Sequence, residues 1–450
     1  MPDQATFSTT HNVKNNEAST HLLKDMTRKW LRTNDRNLEV KADLAFHPFS
    51  SFPLLEVAVG GMYRHKNREN YYNEYTLLAQ VVNNEHQEYT HIENALYDFK
   101  NPLDGRGSIV SPNSYDSQED IMAYYGQLRY NHPKYEIIIG VRNEMTKSRY
   151  STAMPEHAEG KYGSNSYSDL LPSVNLKYII NKTRHIRLSY YRSICRPGFF
   201  EVIPYNIEGE YFNEWGNPYI KHTVADNIDL RYEIFPTGVD QILFGFFYKN
   251  LTNPIEYVVE KAGTINNLVL MPRNFDNAVN YGAELVTTKY FRNIGISFNY
   301  TFTQSSITTN KLYYQPDYTN KEVKETRPLQ GQSKHIGNAS LLYRNQKAGM
   351  NAQISGVFTG RRISSLSAYE GMDYWQGDYI QMDFSAEKTI FHNAVVYVKI
   401  NNLLSTPLLE FVNKPNTQGN FVPMQTERHR MLVRKEIYRP TYQIGLRIII

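Results

Sequence analysis

The chain has 450 residues, of which 41% are hydrophobic, and its net charge of +4 is spread along the sequence. This composition excludes an intrinsically disordered chain, and no basic cluster with interleaved aromatics indicates nucleic-acid binding. The single Cys195 excludes an intrachain disulfide and a cysteine-based zinc site. Because no HExxH, GxSxG or phosphate-loop pattern occurs, we expect no enzyme activity and no cofactor.

Two features of the chain bear on membranes. It carries 36 tyrosines against 3 tryptophans, and tyrosine suits half-wet surfaces where the ring is buried and the hydroxyl is solvated. No window has the length of apolar sequence that a transmembrane helix needs. The polar start, MPDQATFSTTHNVKNN, lacks the basic and apolar regions of a signal peptide.

Residues 1–36 are polar, and only HLLKDMTRKWL near residue 21 is a weak helix candidate. From residue 37 onward, apolar and polar residues alternate with the period of a β-strand. In NIDLRYEI, one face carries Ile228, Leu230, Tyr232 and Ile234, and the other carries Asn227, Asp229, Arg231 and Glu233. The pattern predicts about fifteen strands, near residues 37–48, 54–66, 119–131, 134–147, 170–181, 184–195, 224–235, 239–250, 278–291, 293–304, 333–344, 347–360, 378–389, 394–404 and 440–450.

The connections between these strands alternate in length. Tight turns follow one strand, namely NHP (131–133), NKT (181–183), PTG (236–238) and RNQ (344–346). Long loops follow the next, at 67–118, 148–169, 196–223, 251–277, 305–332, 361–377 and 405–439. Such long loops are uncommon in compact soluble domains, whereas outer-membrane barrels combine short periplasmic turns with long extracellular loops. The sequence therefore predicts an all-β, antiparallel, up-and-down transmembrane barrel; a soluble β-sandwich or propeller is the alternative, since alternation also arises on a soluble core.

The last strand, TYQIGLRIII, adds to this prediction. It alternates apolar residues with polar ones and contains Gln443, Gly445, Ile448 and Ile450. This pattern resembles the recognition signal that the barrel-insertion machinery reads. That signal usually ends in an aromatic residue, and Ile450 departs from it.

Several strings, in order along residues 54–450, resemble the barrel of TonB-dependent outer-membrane receptors. They include LLEVAVGGMYRHKNREN, LLPSVNLKYIINKTRHIRLSYYRSICRPGFFEVIP, GNPYIKHTVADNIDLRYE, NYGAELVTTKYF, LQGQSKHIGNASLLY and VKINNLLSTP. The resemblance implies a 22-stranded barrel, the size that the largest plugged outer-membrane transporters have, filled by an N-terminal plug domain. It also implies an extracellular ligand at the mouth, and a TonB complex that acts on the plug.

The chain departs from this family pattern at its start. No signal peptide or plug precedes residue 37, and fifteen is an odd number of strands, whereas bacterial single-chain barrels have even numbers. We therefore expect residues 1–36 to belong to an extracellular loop and residues 37–450 to be the C-terminal barrel portion of a receptor. A truncated gene, a misplaced start or a pseudogene would each give such a chain, and a smaller barrel that closes on fewer strands is also possible.

The loop from Arg196 to Pro218 combines prolines, glycines, aromatic residues and glutamates. Its candidate ligand contacts are Arg196, Tyr205, Tyr211 and Trp215, and Tyr374 and Trp375 in another loop are further candidates. The alternative, which we favour, is that prolines and glycines fix turns at the rim and that Arg196 pairs with a glutamate of the loop. Haem receptors place a histidine between comparable elements, but here His222 only follows them, which argues against haem.

Other residues are expected to form a polar wall inside the barrel, namely Arg187, Arg231, Glu233, Glu284 and Lys399. Two functions follow from the resemblance. The first is energised uptake of a bulky ligand, most often a ferric siderophore, with peptides or glycans as other substrates. The second is a passive structural or adhesive barrel fragment. Expected partners are the TonB complex through a plug, the barrel-insertion machinery, outer-membrane lipid and lipopolysaccharide, with no nucleic acid, and the expected location is the outer membrane of a Gram-negative bacterium.

Overall fold

The computed structural model describes residues 4–14, 17–79, 81–82, 85–86, 97–99, 111–208, 212–236, 238–262, 267–314, 320–391, 393–413 and 430–448. Within these ranges the chain is almost entirely β-strand, with one helical turn. No helix among the described residues is long and apolar enough to cross a membrane.

The strands are numbered in chain order. The first half contains β1 Gln4–Lys14, β2 Glu17–Phe46, β3 Leu55–Ala79, β4 Val81–Val82, β5 Glu85–His86, β6 Tyr97–Phe99, β7 Tyr115–His132, β8 Tyr135–Thr152, β9 Tyr162–Asn181, β10 Arg184–Cys195, the helical turn α1 Phe199–Val202, β11 Asn206–Glu208, β12 Asn213–Trp215, β13 Thr223–Ile234 and β14 Gln241–Thr252. The second half contains β15 Ile255–Ala262, β16 Asn267–Asn274, β17 Ala278–Phe291, β18 Ile294–Tyr314, β19 Asn320–Arg327, β20 His335–Asn345, β21 Met350–Thr359, β22 Arg362–Ser367, β23 Tyr374–Gln376, β24 Tyr379–Phe391, β25 Ala394–Asn401, β26 Leu408–Asn413, β27 Arg430–Glu436 and β28 Thr441–Ile448.

One large antiparallel sheet, here called the main sheet, organises the chain. Its neighbours follow the order β1, β2, β3, β7, β8, β9, β10, β13, β14, β17, β18, β20, β21, β24, β25, β28. The short strand β6 pairs with the far end of β3, and β19 pairs with the far end of β18, which brings the sheet to eighteen strands. Every one of these pairings is antiparallel, as the sequence predicts.

The two outermost strands of this order are not joined to each other. Within the described residues β28 pairs with β25, and no ladder connects β28 to β1 or β2. The sequence predicts part of a larger barrel, with closure on fewer strands as a possibility, and the described part of the chain forms an open sheet.

Each of the fifteen predicted segments overlaps a strand of the main sheet, and many strands continue beyond the predicted ends. β3 reaches Ala79, β9 begins at Tyr162 and β18 reaches Tyr314, all inside segments predicted as loops. The reason is that a ladder needs only a neighbouring backbone, whereas the apolar alternation that marks a strand in the sequence stops where the apolar surroundings stop. Alternation therefore detected the apolar section of each strand and missed its polar extension.

The N-terminal segment also differs from its prediction. Residues 4–14 and 17–36 lie in β1 and β2, which pair as a hairpin, where the sequence predicts a loop. The weak helix candidate near residue 21 is part of β2, so that prediction is wrong. Pairing with β1 and β3 on its two edges satisfies its backbone groups as a strand, which overrides its helical pattern.

Short and long connections leave opposite ends of the main sheet. The connections β7–β8, β9–β10, β13–β14 and β20–β21 span only a few residues, as predicted. Because consecutive strands are antiparallel, all of the long connections lie together at the other end. This brings residues far apart in the sequence into one region of the molecule.

One face of the main sheet is apolar from β2 to β28, and we call it the apolar face. The ladder places Leu188 opposite Leu230 and Leu230 opposite Phe246, and all three side chains are exposed. At the far edge Ile444 is 77% exposed. An exposed apolar surface this continuous requires an apolar environment. The apolar positions of NIDLRYEI lie on this face, and Ile450 of the last strand lies outside the described residues.

A charge introduced on this face tests its contact with lipid. We expect Leu230→Arg to lower the free energy of unfolding in lipid vesicles by about 2–4 kcal/mol, because a guanidinium is costly among acyl chains. Ser189→Arg, on the opposite face and directly across from Asp229, is the control and should change stability little. Equal losses for the two variants in a urea titration would contradict the assignment of faces.

The opposite face, here called the polar face, carries a repeated packing device. In five places an aromatic ring lies over a glycine directly opposite it on the neighbouring strand: Gly60–Tyr125, Gly163–Tyr150, Gly282–Phe247, Gly295–Tyr290 and Gly445–Tyr397. A Cβ at Gly445 would lie 2.5 Å from ring atoms of Tyr397, which is inside van der Waals contact. Each ring therefore covers backbone that only glycine leaves open.

The pair nearest the C-terminus gives a direct test. We expect Gly445→Ala to lower the free energy of unfolding by about 1–3 kcal/mol, because the added methyl displaces the Tyr397 ring. The matched control is Gly126→Ala on the apolar face, where a Cβ would meet nothing within 4 Å. If the two alanine variants unfold at the same urea concentration, the ring does not depend on the glycine.

Candidate functional site

The long connections form a second sheet of eight strands, which we call the loop sheet. Its order is β11, β12, β16, β15, β22, β23, β26, β27, and it unites four connections: β10–β13, β14–β17, β21–β24 and β25–β28. Parallel pairings, β12 with β16 and β15 with β22, join strands from different connections. The loop sheet makes one continuous structure from segments that the sequence predicts as separate loops.

The Arg196–Pro218 segment begins this region and folds onto the polar face. Ile203 is buried against Tyr115 of β7 and Tyr150 of β8, with Phe199 packed beside them. The Glu201 carboxylate accepts a hydrogen bond of 2.7 Å from the Gly198 amide and closes the turn of α1. The segment therefore packs on the polar face at the loop ends of β7 and β8, and the role of its prolines and glycines in fixing turns at the rim stays a prediction.

Arg196 is anchored to β8. It forms an ion pair with the buried Glu144, and its Nε donates a 3.1 Å hydrogen bond to Oγ1 of Thr146. Arg142 also pairs with Glu144, at 2.7 Å. The prediction that Arg196 pairs with a glutamate of its own segment is wrong, because the segment turns inward and places the guanidinium against the strand.

The aromatic candidates occupy different positions. Tyr205 is buried and packs edge-on against Phe200, with 5.6 Å between ring centroids. Trp215 lies half-buried in β12, where it pairs with Asn206, the residue that follows Tyr205. Tyr211 falls outside the described residues. Among the candidates in this segment, Trp215 therefore remains partly exposed, whereas Tyr205 is packed inside the protein.

Tyr374 and Trp375 lie in β23, in the middle of the loop sheet. Tyr374 packs edge-on against Phe212, from the Arg196–Pro218 segment, at 5.8 Å between centroids. The ring of Trp375 rests on a buried cluster that contains Ile363, and the Arg361 guanidinium lies 5.9 Å from its centroid. The structure therefore brings together the two loops that carry predicted site residues.

A group of cations and aromatic rings that the sequence prediction missed lies beside α1. Lys66 lies 5.2 Å and Arg68 5.3 Å from the Phe199 ring centroid, and Arg68 also lies 5.8 Å from that of Phe200, which is 42% exposed. Asp35 orients Arg68 through two hydrogen bonds of 2.6 and 2.7 Å. The two cations lie on the same face because β3 continues past residue 66. Extending the predicted strand beyond residue 66 would have placed Arg68 on the same face as Lys66.

The predicted polar wall is present on the polar face. Arg187 pairs with Glu233 at 2.9 Å, Arg231 approaches Glu284 at 3.7 Å, and the Lys399 ammonium lies 5.8 Å from the Tyr397 ring centroid. A cavity of ≈ 480 Å³ lies along this wall, with Arg187, Arg231 and Glu284 in its lining. The two arginines are therefore held by carboxylates of other strands, whereas Lys399 contacts a ring of its own strand.

Metal ligation finds no support in the described part of the chain. No group of three or more histidine, cysteine or carboxylate side chains there could hold a metal ion. His222 instead shares a 3.0 Å hydrogen bond with Asp169 and stacks on Tyr167, with 3.9 Å between centroids. Arg196 therefore anchors the start of the β10–β13 connection, and His222 anchors its end.

Buried phenols make the Arg196–Pro218 segment sensitive to alkali. Burial, reinforced by Glu214 and Glu201, raises the pKa of Tyr205 to about 12 from the model-peptide value of 10.0. A raised pKa means that the fold favours the neutral phenol. This contribution to stability is therefore complete below pH 10 and is lost as the pH rises toward 12.

We expect Tyr205→Phe to shift the alkaline transition of this segment to higher pH, because the ring stays and the ionisable hydroxyl is removed. The fluorescence of Trp215, which pairs with Asn206 directly after Tyr205, reports the transition. Tyr219→Phe is the control, since Tyr219 is 77% exposed and its ionisation should leave the segment unchanged. An unchanged transition for Tyr205→Phe would show that the buried phenol does not limit stability.

Comparisons with known proteins agree with this architecture. The model of the Outer membrane protein beta-barrel family matches residues 2–431. Similar solved structures include the siderophore receptor PiuA from Acinetobacter baumannii (TM-score 0.56, 12% identity, covering 86% of this chain and 54% of that one) and the ferric yersiniabactin uptake receptor FyuA from Yersinia pestis (0.57, 13%, 95% and 56%). A third is the ferric citrate transporter FecA (0.57, 13%, 98% and 57%).

The identities are low, so these likenesses show a shared fold. The chain spans just over half the length of each of the three solved structures. No curated protein matches the sequence.

Proposed function

The chain belongs to the outer membrane protein beta-barrel family and is a protein of the Gram-negative outer membrane, and from this premise we propose that it is the barrel portion of a TonB-dependent receptor. In this proposal the short connections face the periplasm and the long ones face the exterior. The chemistry is binding and transport of a ligand, with no covalent step.

The observation that carries the proposal is the loop sheet. Four long connections join into one structure at one end of the main sheet, and the predicted Tyr374 of one connection contacts Phe212 of the connection that carries Trp215. A passive barrel has no need to order its loops in this way, whereas a receptor needs a defined surface at its entrance.

The ligand that fits this surface best is a bulky molecule with flat and anionic groups, and a ferric siderophore is the first choice. Phe200 offers an exposed ring with the Arg68 guanidinium beside it, and Lys66 supplies a second positive charge beside the adjacent Phe199 ring. The similar solved structures, a siderophore receptor, a ferric yersiniabactin uptake receptor and a ferric citrate transporter, support the same class. Peptides and glycans are the other substrates that the proposal allows.

Tryptophan fluorescence gives a direct binding test. Two of the three tryptophans, Trp215 and Trp375, lie in the loop sheet, so quenching during a titration reports that region. With the detergent-solubilised chain and a panel of ferric siderophores, we expect saturable quenching by at least one. Trp215→Phe and Trp375→Phe assign the signal.

The cation and ring beside α1 should carry part of the affinity. We expect Arg68→Gln and Phe200→Ala each to weaken binding by about tenfold, a loss of about 1.4 kcal/mol that suits one desolvated cation–ring contact. Lys334→Gln is the matched control, since Lys334 lies 5.6 Å from the Phe302 centroid on the apolar-face side. Absence of saturable quenching by any siderophore, peptide or glycan would favour the alternative, a passive structural or adhesive barrel.

A further inference from the structure

The β18–β19 hairpin extends beyond the part of β18 that pairs with β20 and reaches two other long connections. Its ladder runs from the pair Ile307–Arg327 to the pair Tyr314–Asn320. Two cations of this hairpin, Lys311 and Arg327, are almost completely buried, with 3% exposure of each side chain. Burial of a cation is costly unless an anionic partner compensates its charge. The carboxylates that pair with these two cations therefore show which connections the hairpin is attached to.

Arg327 holds the β14–β17 connection. Its Nη2 lies 2.8 Å and its Nη1 3.3 Å from the two carboxylate oxygens of Glu256 in β15, whose side chain is 4% exposed. The Gln330 amide donates a further 2.6 Å hydrogen bond to Glu256, and the guanidinium lies 5.4 Å from the Phe275 ring centroid. This two-pronged pair fixes orientation as well as distance.

Lys311 holds the β21–β24 connection. Its Nζ lies 2.5 Å from Oδ1 of Asp373, whose side chain is 5% exposed, and 3.0 Å from Glu325 on the partner strand of the hairpin. The amide of Ser367 donates to the same Asp373 oxygen at 2.8 Å. Asp373 immediately precedes the Tyr374 and Trp375 surface, so the ion pair sets where that surface lies.

The two connections that the hairpin holds are also joined to each other. β15 and β22 pair in parallel at Val258–Leu366, and these residues are buried in one cluster with Ile363. The Leu312 amide of the hairpin donates to the Ala368 carbonyl at 2.8 Å, and the Ala368 amide donates to Val259 at 3.0 Å. Each of the three segments therefore contacts both of the others.

We infer that Lys311 and Arg327 are positioning residues that lock these three connections into one unit, which holds the Tyr374–Trp375 surface and moves as a single body. Removing one partner of a buried ion pair leaves an uncompensated charge and is strongly destabilising, so neither connection can detach alone. A ligand that contacts one connection then shifts the order of all three, because coupling between two sites is reciprocal. The role of the surface in ligand binding depends on the proposed function, whereas the coupling itself does not.

Hydrogen exchange of the ligand-free full chain tests the coupling. We expect Asp373→Asn and Glu256→Gln each to raise amide exchange by about tenfold or more in all three segments, 255–262, 307–327 and 362–376, because local opening of one releases the others. Acceleration confined to the substituted connection, or no acceleration at all, would overturn the inference. The result does not depend on fluorescence quenching by a ligand, so failure of the proposed function is distinguished from failure of the coupling.

Two further variants guard against loss of folding and against a general effect. Arg327→Lys keeps the charge but loses the two-pronged geometry, and we expect the same three segments to accelerate by a smaller factor. Glu387→Gln is the matched control, because it removes the 3.0 Å Arg447–Glu387 pair on the polar face, outside the loop sheet, and should leave all three segments unchanged. Acceleration of the three segments by Glu387→Gln would also overturn the inference.

Discussion

Lipid offers no hydrogen bonds, and this single constraint shapes the whole main sheet. Between the two outer edges of the sheet, each strand pairs its backbone amides and carbonyls with a neighbour on both sides, and the chain runs back and forth between neighbours without a crossover. The same constraint makes consecutive connections alternate between the two ends of the sheet. It therefore gathers the long connections in one place, and the loop sheet and its buried ion pairs become possible only because the main sheet has already brought those segments together.

The sequence could predict the strands and their two faces, because lipid or polar surroundings select the type of side chain at each position independently of distant residues. Alternation in NIDLRYEI follows from lipid on one side and polar side chains on the other, and Leu230 and Arg231 lie on the faces that it predicts. Where the apolar surroundings end, the pattern ends too, although the ladder of β18 continues to Tyr314. Arg68 was missed for this reason, since it lies in the polar extension of β3.

Long-range partners could not be predicted from one sequence. The pairs Arg196–Glu144 and Lys311–Asp373 join positions about fifty to sixty residues apart, and nothing local distinguishes their members from the other charged residues of the loops. Parallel contacts such as that of β15 with β22 are equally hidden, because they depend on how two connections turn after leaving the sheet. The candidate site is therefore a product of tertiary structure, whereas the sheet beneath it is a product of periodicity.

The glycine and aromatic pairs of the polar face have a consequence for accuracy of assembly. A shift of one strand by a single residue would exchange its two faces and place its polar side chains in lipid, which is unfavourable. Slipping it by two residues preserves the faces, so alternation alone cannot prevent that error. With such a slip Tyr397 would face Gln443 or Arg447 instead of Gly445, and its ring would have no open backbone to cover. The rings thus favour the native register over a two-residue shift, which would keep the apolar side chains in lipid.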